Sequence, residues 1–175
     1  MKNKVIIFVL FRYPVMKTEF TFFYAFWELA GGWSLEWAAK KGFGRVRVAI
    51  KPDLTADVIV THTAAEHQSR ADVNIETRTI QAKKIISYVK KLEAATNPSD
   101  LIILGGDLNS QPNDPAYSVI ASIFTDTGKE KREATYGHPE NTYTSGSGQS
   151  TLDYIFVRHQ GHVSLKANQS VVDFK

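Results

Sequence analysis

The chain has 175 residues, of which 43% are hydrophobic and 11% aromatic, and it contains no cysteine. This composition excludes a disordered chain, a disulfide framework and a cysteine-ligated zinc site, and the length is enough for one domain. The net charge of +3 comes from residues 1–51, which carry nine Lys or Arg against three Asp or Glu; residues 52–175 carry twelve against fifteen. Because a nucleic-acid groove should concentrate basic residues around its chemistry, this distribution disfavours nucleic acid as a partner.

The chain opens with basic residues followed by apolar ones. Residues 1–12 resemble a signal peptide in this order but lack a small-residue cleavage site, and we therefore predict a strand over residues 5–11. No stretch approaches the ~20 apolar residues that a membrane-spanning helix needs. Residues 20–37 are dense in aromatics without a clear period. Core packing is the preferred interpretation of that stretch, and contact with lipid or with a partner is the alternative.

The remainder of the chain predicts alternating strands and helices. Residues 44–50 alternate, with Val and Ile on one face and Arg on the other, and residues 57–61 form the return strand of an antiparallel hairpin. Five segments follow: a helix over 70–94, a buried strand over 101–104, a short helix over 115–123, a loop over 126–150 and a strand over 152–157. Apolar residues at helical spacing mark the inner face of the long helix: Ile80, Ile85, Ile86, Val89 and Leu92. Without a repeat or a linker, this mixture predicts a single α/β (α+β) domain over residues 1–175.

The segment 101–112 is the most informative about function. Four Leu or Ile residues lead into Gly105 and Gly106, and a carboxylate and an amide follow at Asp107 and Asn109. If the strand persists to Asn109, alternation places both polar side chains on one side and Leu108 in the core. A carboxylate and an amide delivered together suit a phosphate ester held on Mg²⁺. The alternative is a strand followed by an Asx turn.

Two other predicted strand ends carry polar groups. His62 closes the strand 57–61 and Asp153 opens the strand 152–157. Each residue taken alone is more typical of a structural role. Their order along the chain, together with Asp107 and Asn109, makes the four residues a candidate site.

That order resembles the endonuclease/exonuclease/phosphatase superfamily, whose pattern is a strand-end His, Gly-Asp-x-Asn, an Asp-Tyr strand and then Ser-Asp-His. Residues 106–109 match the second element fully, and residues 152–154 match the third. Within the superfamily, the chain looks most like the neutral sphingomyelinase branch. The stretches that carry this likeness are Phe11-Arg12-Tyr13-Pro14, Lys41-Gly42-Phe43-Gly44, Thr61-His62-Thr63-Ala64-Ala65-Glu66-His67 (with His67 in place of the usual Tyr), Arg78 with Gln81 and Ala82, and Asn141-Thr142-Tyr143. The resemblance runs from about residue 5 to residue 160.

The resemblance implies part of a four-layer sandwich, with two mixed β-sheets flanked by helices. It implies Mg²⁺-dependent, phospholipase C type hydrolysis of sphingomyelin to ceramide and phosphocholine. A membrane phospholipid would then be the partner, and the location intracellular and membrane-associated. It also implies roles for four residues. His62 and Asn109 would contact the phosphate, Asp107 would orient the attacking water near the metal, and Asp153 would orient the general base.

Two parts of the family pattern have no counterpart in these 175 residues: the metal-binding Glu of the first half and the closing Ser-Asp-His. Asp107 is therefore the possible metal ligand here, whereas Mg²⁺ prefers six oxygen ligands. A general base contributes about 10²–10⁴-fold to a rate. We therefore expect an incomplete domain that turns over no substrate alone, the product of a partial gene model, a splice event or a truncated copy.

Three other functions are considered. A metal-dependent nuclease of the same superfamily is the nearest, and a non-catalytic lipid-binding remnant is a second. A zinc hydrolase is disfavoured, because His62 and His67 are five residues apart and would lie about 140° apart around a helix, not on one face.

Overall fold

The computed structural model describes residues 12–23, 41–65, 71–140 and 144–159, without the side chains of residues 71–73. The elements in these ranges are β1 (Val15–Phe22), β2 (Gly42–Lys51), β3 (Leu54–His62), α1 (Ala71–Glu93), β4 (Leu101–Asp107), α2 (Pro115–Ala121), β5 (Thr125–Asp126) and β6 (Asp153–His159). Several predictions lie outside the described residues: the strand over 5–11, most of the aromatic stretch, and the motif residues at 66–67 and 141–143.

The described strands form one mixed six-stranded sheet in the order β1-β2-β3-β4-β6-β5. β3 and β4 pair in parallel, and the other neighbouring pairs are antiparallel. A parallel pair needs a crossover connection, and α1 provides it between β3 and β4. The carboxyl ends of β3 and β4 therefore lie side by side at one end of the sheet. Neither described helix is both long enough and apolar enough to cross a membrane.

The main core lies between one face of the sheet and the two helices. Ile85 and Val89 of α1 and Ile120 of α2 are fully buried in one cluster with Ile59 of β3 and Phe156 of β6. Burying an apolar side chain of this size contributes ~1.5–3 kcal/mol relative to leaving it exposed. The core consequently fixes the strands whose ends carry the candidate site.

The core face of the sheet also buries an ionic network. Asp57 of β3 is fully buried and accepts hydrogen bonds from Arg45 Nε at 2.7 Å, Arg47 Nη2 at 2.8 Å and Ser99 Oγ at 2.8 Å. Arg45, itself only 4% exposed, makes a second ion pair with Glu19 of β1 at 2.9 Å. Side chains from three neighbouring strands are thereby tied together.

The opposite face of the sheet carries a smaller apolar cluster. Val48 and Leu101 are buried in it, with Val46 and Ile50 partly buried beside them. Ile155 of β6 also lies on this face of the sheet and is 52% exposed. The predicted alternation of residues 44–50 is confirmed, because Arg45 and Arg47 point to the core face instead.

The predicted elements from residue 44 onward are confirmed with small shifts at their ends, and so is the α/β fold class. Helix α1 buries four of the five predicted apolar positions, but Ile80 is only partly buried. The first half of that helix buries polar residues instead: Asn74, Thr77, Arg78 and Gln81. Two elements are not predicted from the sequence, the strand Val15–Phe22 and the short strand Thr125–Asp126 at the start of the loop predicted over 126–150.

Candidate active site

Three of the four predicted site residues lie in one transverse row of the sheet. His62, the last residue of β3, is paired with Asp107, the last residue of β4. Asp107 is in turn paired with Asp153, the first residue of β6. Residues paired across neighbouring strands share a face, and strands lie ~4.8 Å apart. The sheet therefore presents the three side chains side by side on the face opposite the helices.

A lysine that was not among the predicted site residues joins this row. Lys41 Nζ lies 3.4 Å from His62 Nε2 and donates a 2.7 Å hydrogen bond to the carbonyl of Thr63. His62 Nε2 also lies 3.4 Å from Asp107 Oδ2, so the same ring nitrogen is near both an ammonium and a carboxylate. In the sequence, Lys41 is marked by its place in the Lys-Gly-x-Gly motif of the family likeness.

Asn109 reaches the site by a turn and not by strand alternation, which corrects the prediction that both polar residues follow from a strand through Asn109. Strand β4 ends at Asp107, and Asn109 adopts a positive φ of 45°. The Asn109 backbone N–H donates to Asp107 Oδ1 at 2.7 Å, and its side-chain Nδ2 donates to the carbonyl of Thr63 at 3.2 Å. The Asx turn, considered above as the alternative, is thus present. Leu108 is buried as predicted.

Gly106 permits the close approach of the strands beneath the site. Its φ is +128°, and a β-carbon there would lie 2.0 Å from the carbonyl oxygen of Thr61. Only glycine accommodates both the backbone conformation and the contact. The loops beyond the strands are joined as well, since Thr63 Oγ1 donates to the carbonyl of Leu108 at 2.5 Å.

The pKa of Asp107 is raised to about 6, chiefly by burial and further by the neighbouring charge of Asp153. The Asn109 N–H bond and the positive charges of Lys41 and Arg78 act in the opposite direction. Arg78 of α1 is 1% exposed, and two of its nitrogens are buried without a hydrogen-bond partner within the described part of the chain. The site thus combines a carboxyl group whose pKa is about 6 with two cations near enough to act on that pKa.

The oxygen donors of the row fit a hard divalent cation. Within the described ranges, no three His, Asp or Glu side chains cluster closely enough to hold a metal ion by themselves. Mg²⁺, however, is usually held by one or two carboxylates together with water and substrate, and Asp107 and Asp153 are adjacent. A bound cation would relieve the repulsion that contributes to the raised pKa of Asp107.

A mixed sheet with helices packed on one face and polar strand ends gathered in one row defines an α/β protein with its candidate site at the carboxyl ends of the parallel strands. A model of the Endonuclease/Exonuclease/phosphatase family matches residues 7–168, and the chain belongs to that family. The predicted family is confirmed.

Individual proteins are similar to this chain in sequence or in fold. A Drosophila melanogaster protein named "Putative neutral sphingomyelinase" is 30% identical over 95% of this chain, which corresponds to 38% of its own length. A β-hairpin deletion mutant of the Staphylococcus aureus beta toxin has a similar fold, with a TM-score of 0.66 and 24% identity over 94% of this chain and 61% of the toxin chain. A Staphylococcus aureus beta toxin mutant solved with bound magnesium ions gives a TM-score of 0.61 at 23% identity, over 86% of this chain and 52% of that chain. The chain thus spans about two fifths of the fly relative and half to three fifths of these structures, and the structures share its fold.

Proposed function

We propose that the chain carries the phosphate-binding part of a Mg²⁺-dependent phosphodiesterase site that acts on sphingomyelin. The observation that carries this proposal is the row formed by His62, Asp107 and Asp153, with Lys41 beside His62. Family membership and the name of the fly relative support the phosphodiester class and the lipid substrate respectively. The proposed partner is accordingly a membrane phospholipid and not a nucleic acid.

The proposed phosphate contacts lie at the end of the row that holds Lys41 and His62. The Lys41 ammonium and the His62 imidazole are 3.4 Å apart and can both donate to an anionic phosphoryl group. Donors held in place before the substrate arrives stabilise charge that develops on phosphoryl oxygens, without reorganising at the moment of reaction. Asn109 holds its amide nitrogen against the carbonyl of Thr63, one residue beyond His62, and would complete the phosphate contacts by re-aiming that amide.

The carboxylates at the other end of the row have a different proposed role. Asp107 would ligate Mg²⁺ and orient the attacking water, and Asp153 would orient the general base of the family. The metal, when bound, supplies neutralisation of a nonbridging phosphate oxygen. Ionised Asp107 is needed for this role, and its pKa of about 6 makes the ionised form predominant at pH 7. We propose that the 175-residue chain binds a phosphodiester at this row.

Binding of a phosphodiester by the 175-residue chain tests the proposal. Isothermal titration with glycerophosphocholine should give measurable affinity at pH 7, reduced about tenfold in Lys41→Met, because a charge-assisted hydrogen bond contributes ~1.5–3 kcal/mol and part is regained from water. Lys41→Arg should retain most of the affinity, since it keeps the charge. Lys51→Met, at the exposed far end of β2, the strand that begins directly after Lys41, is the matched control and should bind with unchanged affinity.

A competition between ligands separates the lipid proposal from the nuclease alternative. The same chain is titrated with an oligonucleotide that contains an abasic site, and incision of the oligonucleotide is followed with Mg²⁺ present. Tighter binding to the oligonucleotide, or its incision, would contradict the sphingomyelinase assignment. Absence of any affinity for glycerophosphocholine would contradict the proposed function altogether.

A further inference from the structure

The row that carries the candidate site continues into an aromatic pair at its far end. Phe22 of β1 is paired with Gly42 of β2. Continuing the β2–β3 register by one residue beyond Phe43 and Thr61 places Gly42 opposite His62. The full row across five strands is therefore Phe22, Gly42, His62, Asp107 and Asp153. The aromatic side chain of Phe22 and the candidate-site side chains of the row consequently lie on one face, at one end of the sheet.

The two phenylalanines of β1 form a surface that reaches toward His62. The rings of Phe20 and Phe22 have centroids 4.7 Å apart at an interplanar angle of 70°. A β-carbon at position 42 would lie 2.3 Å from the carbonyl oxygen of Thr21 and 3.0 Å from two carbons of the Phe20 ring, so that ring lies over Gly42, the residue opposite His62 in the row. Phe20 is nevertheless 55% exposed. The absence of a side chain at Gly42 leaves the ring as an open apolar wall beside the phosphate-binding end.

We propose that the Phe20–Phe22 pair is the subsite for the apolar alcohol of the phosphodiester, the group that leaves in hydrolysis. This inference rests on the proposed function. Hydrolysis forms a bond from a water oxygen to phosphorus, breaks the bond from phosphorus to the alcohol oxygen, and transfers one proton overall from the water to the departing alkoxide. In an in-line displacement the attacking and leaving oxygens lie on opposite sides of phosphorus. Carboxylates that position the water at Asp107 and Asp153 therefore direct the alcohol toward His62, Gly42 and the aromatic pair.

The charge at this end of the row selects the apolar alcohol over a quaternary ammonium group. An aromatic face can bind either an alkyl chain or a cation. Lys41 Nζ, however, lies 3.4 Å from His62, and its positive charge repels a trimethylammonium group placed over the neighbouring Gly42. The neutral part of the substrate meets no such repulsion, and burying its methylene groups on the rings is favourable.

Two phosphodiesters that share the choline group but differ in the alcohol test this inference. Hexylphosphocholine, used below its micelle concentration, presents an apolar alcohol, and glycerophosphocholine presents a polar one. The 175-residue chain should bind the hexyl compound about tenfold more tightly in isothermal titration, as expected for a few partly buried methylene groups. In Phe20→Ala this ratio should fall to about twofold or less, with the affinity for glycerophosphocholine unchanged. Phe20→Leu should restore most of the ratio.

Ile155→Ala is the matched control. Ile155 is 52% exposed and lies on the same face, in the row formed by Phe20, Gly44, Val60, Gly105 and Ile155, but at the opposite end from Phe20. Its removal should leave the ratio unchanged. An unchanged ratio in Phe20→Ala, or an equal loss in Ile155→Ala, would overturn the subsite while leaving the proposed function intact. Failure of the native chain to bind either compound would overturn both.

Discussion

At the scale of single residues, Asp107 links the stability of the fold to the candidate function. The carboxyl group has a pKa of about 6 in the folded chain against an ordinary value of 3.8, and its side chain is 32% exposed. The folded state therefore holds this proton more tightly than the unfolded state does. Stability is consequently lost as the pH rises from about 4 through 6, which is the cost of presenting an ionised carboxylate in a half-buried row.

Asp107→Asn is expected to remove that cost. The amide oxygen can still accept the Asn109 N–H bond, so the local turn is kept. The variant should be about as stable as the native chain near pH 4, and more stable by about 1–2 kcal/mol at pH 8 after allowance for solvent screening at a partly exposed group. Urea unfolding at intervals between pH 4 and pH 8 measures the difference. A difference that does not change with pH would contradict the raised pKa.

The sequence predicted three of the site residues in their places, because strand ends can be recognised from where apolar runs stop. His62 and Asp153 lie at the ends of their strands, and Asp107 is the last residue of β4. The sequence left open whether Asn109 follows Asp107 in a strand or in an Asx turn, because residue types alone do not specify the positive φ of Asn109. Lys41 could not be chosen among the basic residues of the first 51, because its place in the site comes from a contact with His62, which lies 21 residues further along the chain.

At the scale of elements, the ionic network on the core face explains how β1, β2 and β3 stay in register. Arg45 and Arg47 would be expected on a solvated face by their charge alone, yet Arg45 is 4% exposed. The burial is tolerable because Asp57 offers both oxygens to the two guanidinium groups. Removing Asp57 leaves the guanidinium groups of Arg45 and Arg47 charged and without its carboxylate.

Asp57→Ala should therefore destabilise the fold by about 3 kcal/mol, since it leaves Arg45 buried with only the Glu19 pair. Asp53→Ala is the control, because Asp53 is an exposed carboxylate in the turn between β2 and β3, and it should change stability by no more than about 0.5 kcal/mol. Urea unfolding of both variants at pH 7 compares them. Equal effects of the two substitutions would mean that the network contributes nothing beyond an ordinary surface charge.

The strand Val15–Phe22 shows where element prediction failed. Its sequence combines Lys17 and Glu19 with Phe20 and Phe22 and lacks the apolar alternation that marks the other strands. It is a strand because β2 pairs with it, and because Glu19 faces Arg45. Contacts with another strand cannot be predicted from these eight residues alone. The apolar runs of β3 and β4, in contrast, predict strands by themselves.

At the scale of the whole molecule, the sheet is organised around the parallel pair. β4 is hydrogen-bonded to β3 on one side and to β6 on the other, and α1 packs over them. β1 and β5 lie at the two ends of the strand order. Strand order is a property of the assembled chain, and the sequence predicted the mixture of strands and helices without the order.

Native-state hydrogen exchange should reproduce this hierarchy. Amides of β3 and β4 should be the slowest and exchange only by global unfolding, whereas those of β1 should exchange at least about tenfold faster through local opening. Exchange measured by two-dimensional NMR at several denaturant concentrations distinguishes the two routes. Protection in β1 equal to that in β4 would show that the sheet opens as one unit.

The transverse row has a consequence for natural variation in this chain. The three candidate-site residues His62, Asp107 and Asp153 come one from each of β3, β4 and β6, and each lies on the site face because its strand is in register with its neighbour. Loss of a single codon within residues 101–106 would turn the Asp107 carboxylate to the helix-packed side while preserving the composition of the strand. Such an in-frame deletion would impair ligand binding as severely as replacing the aspartate itself, although no functional residue would be missing from the translated product.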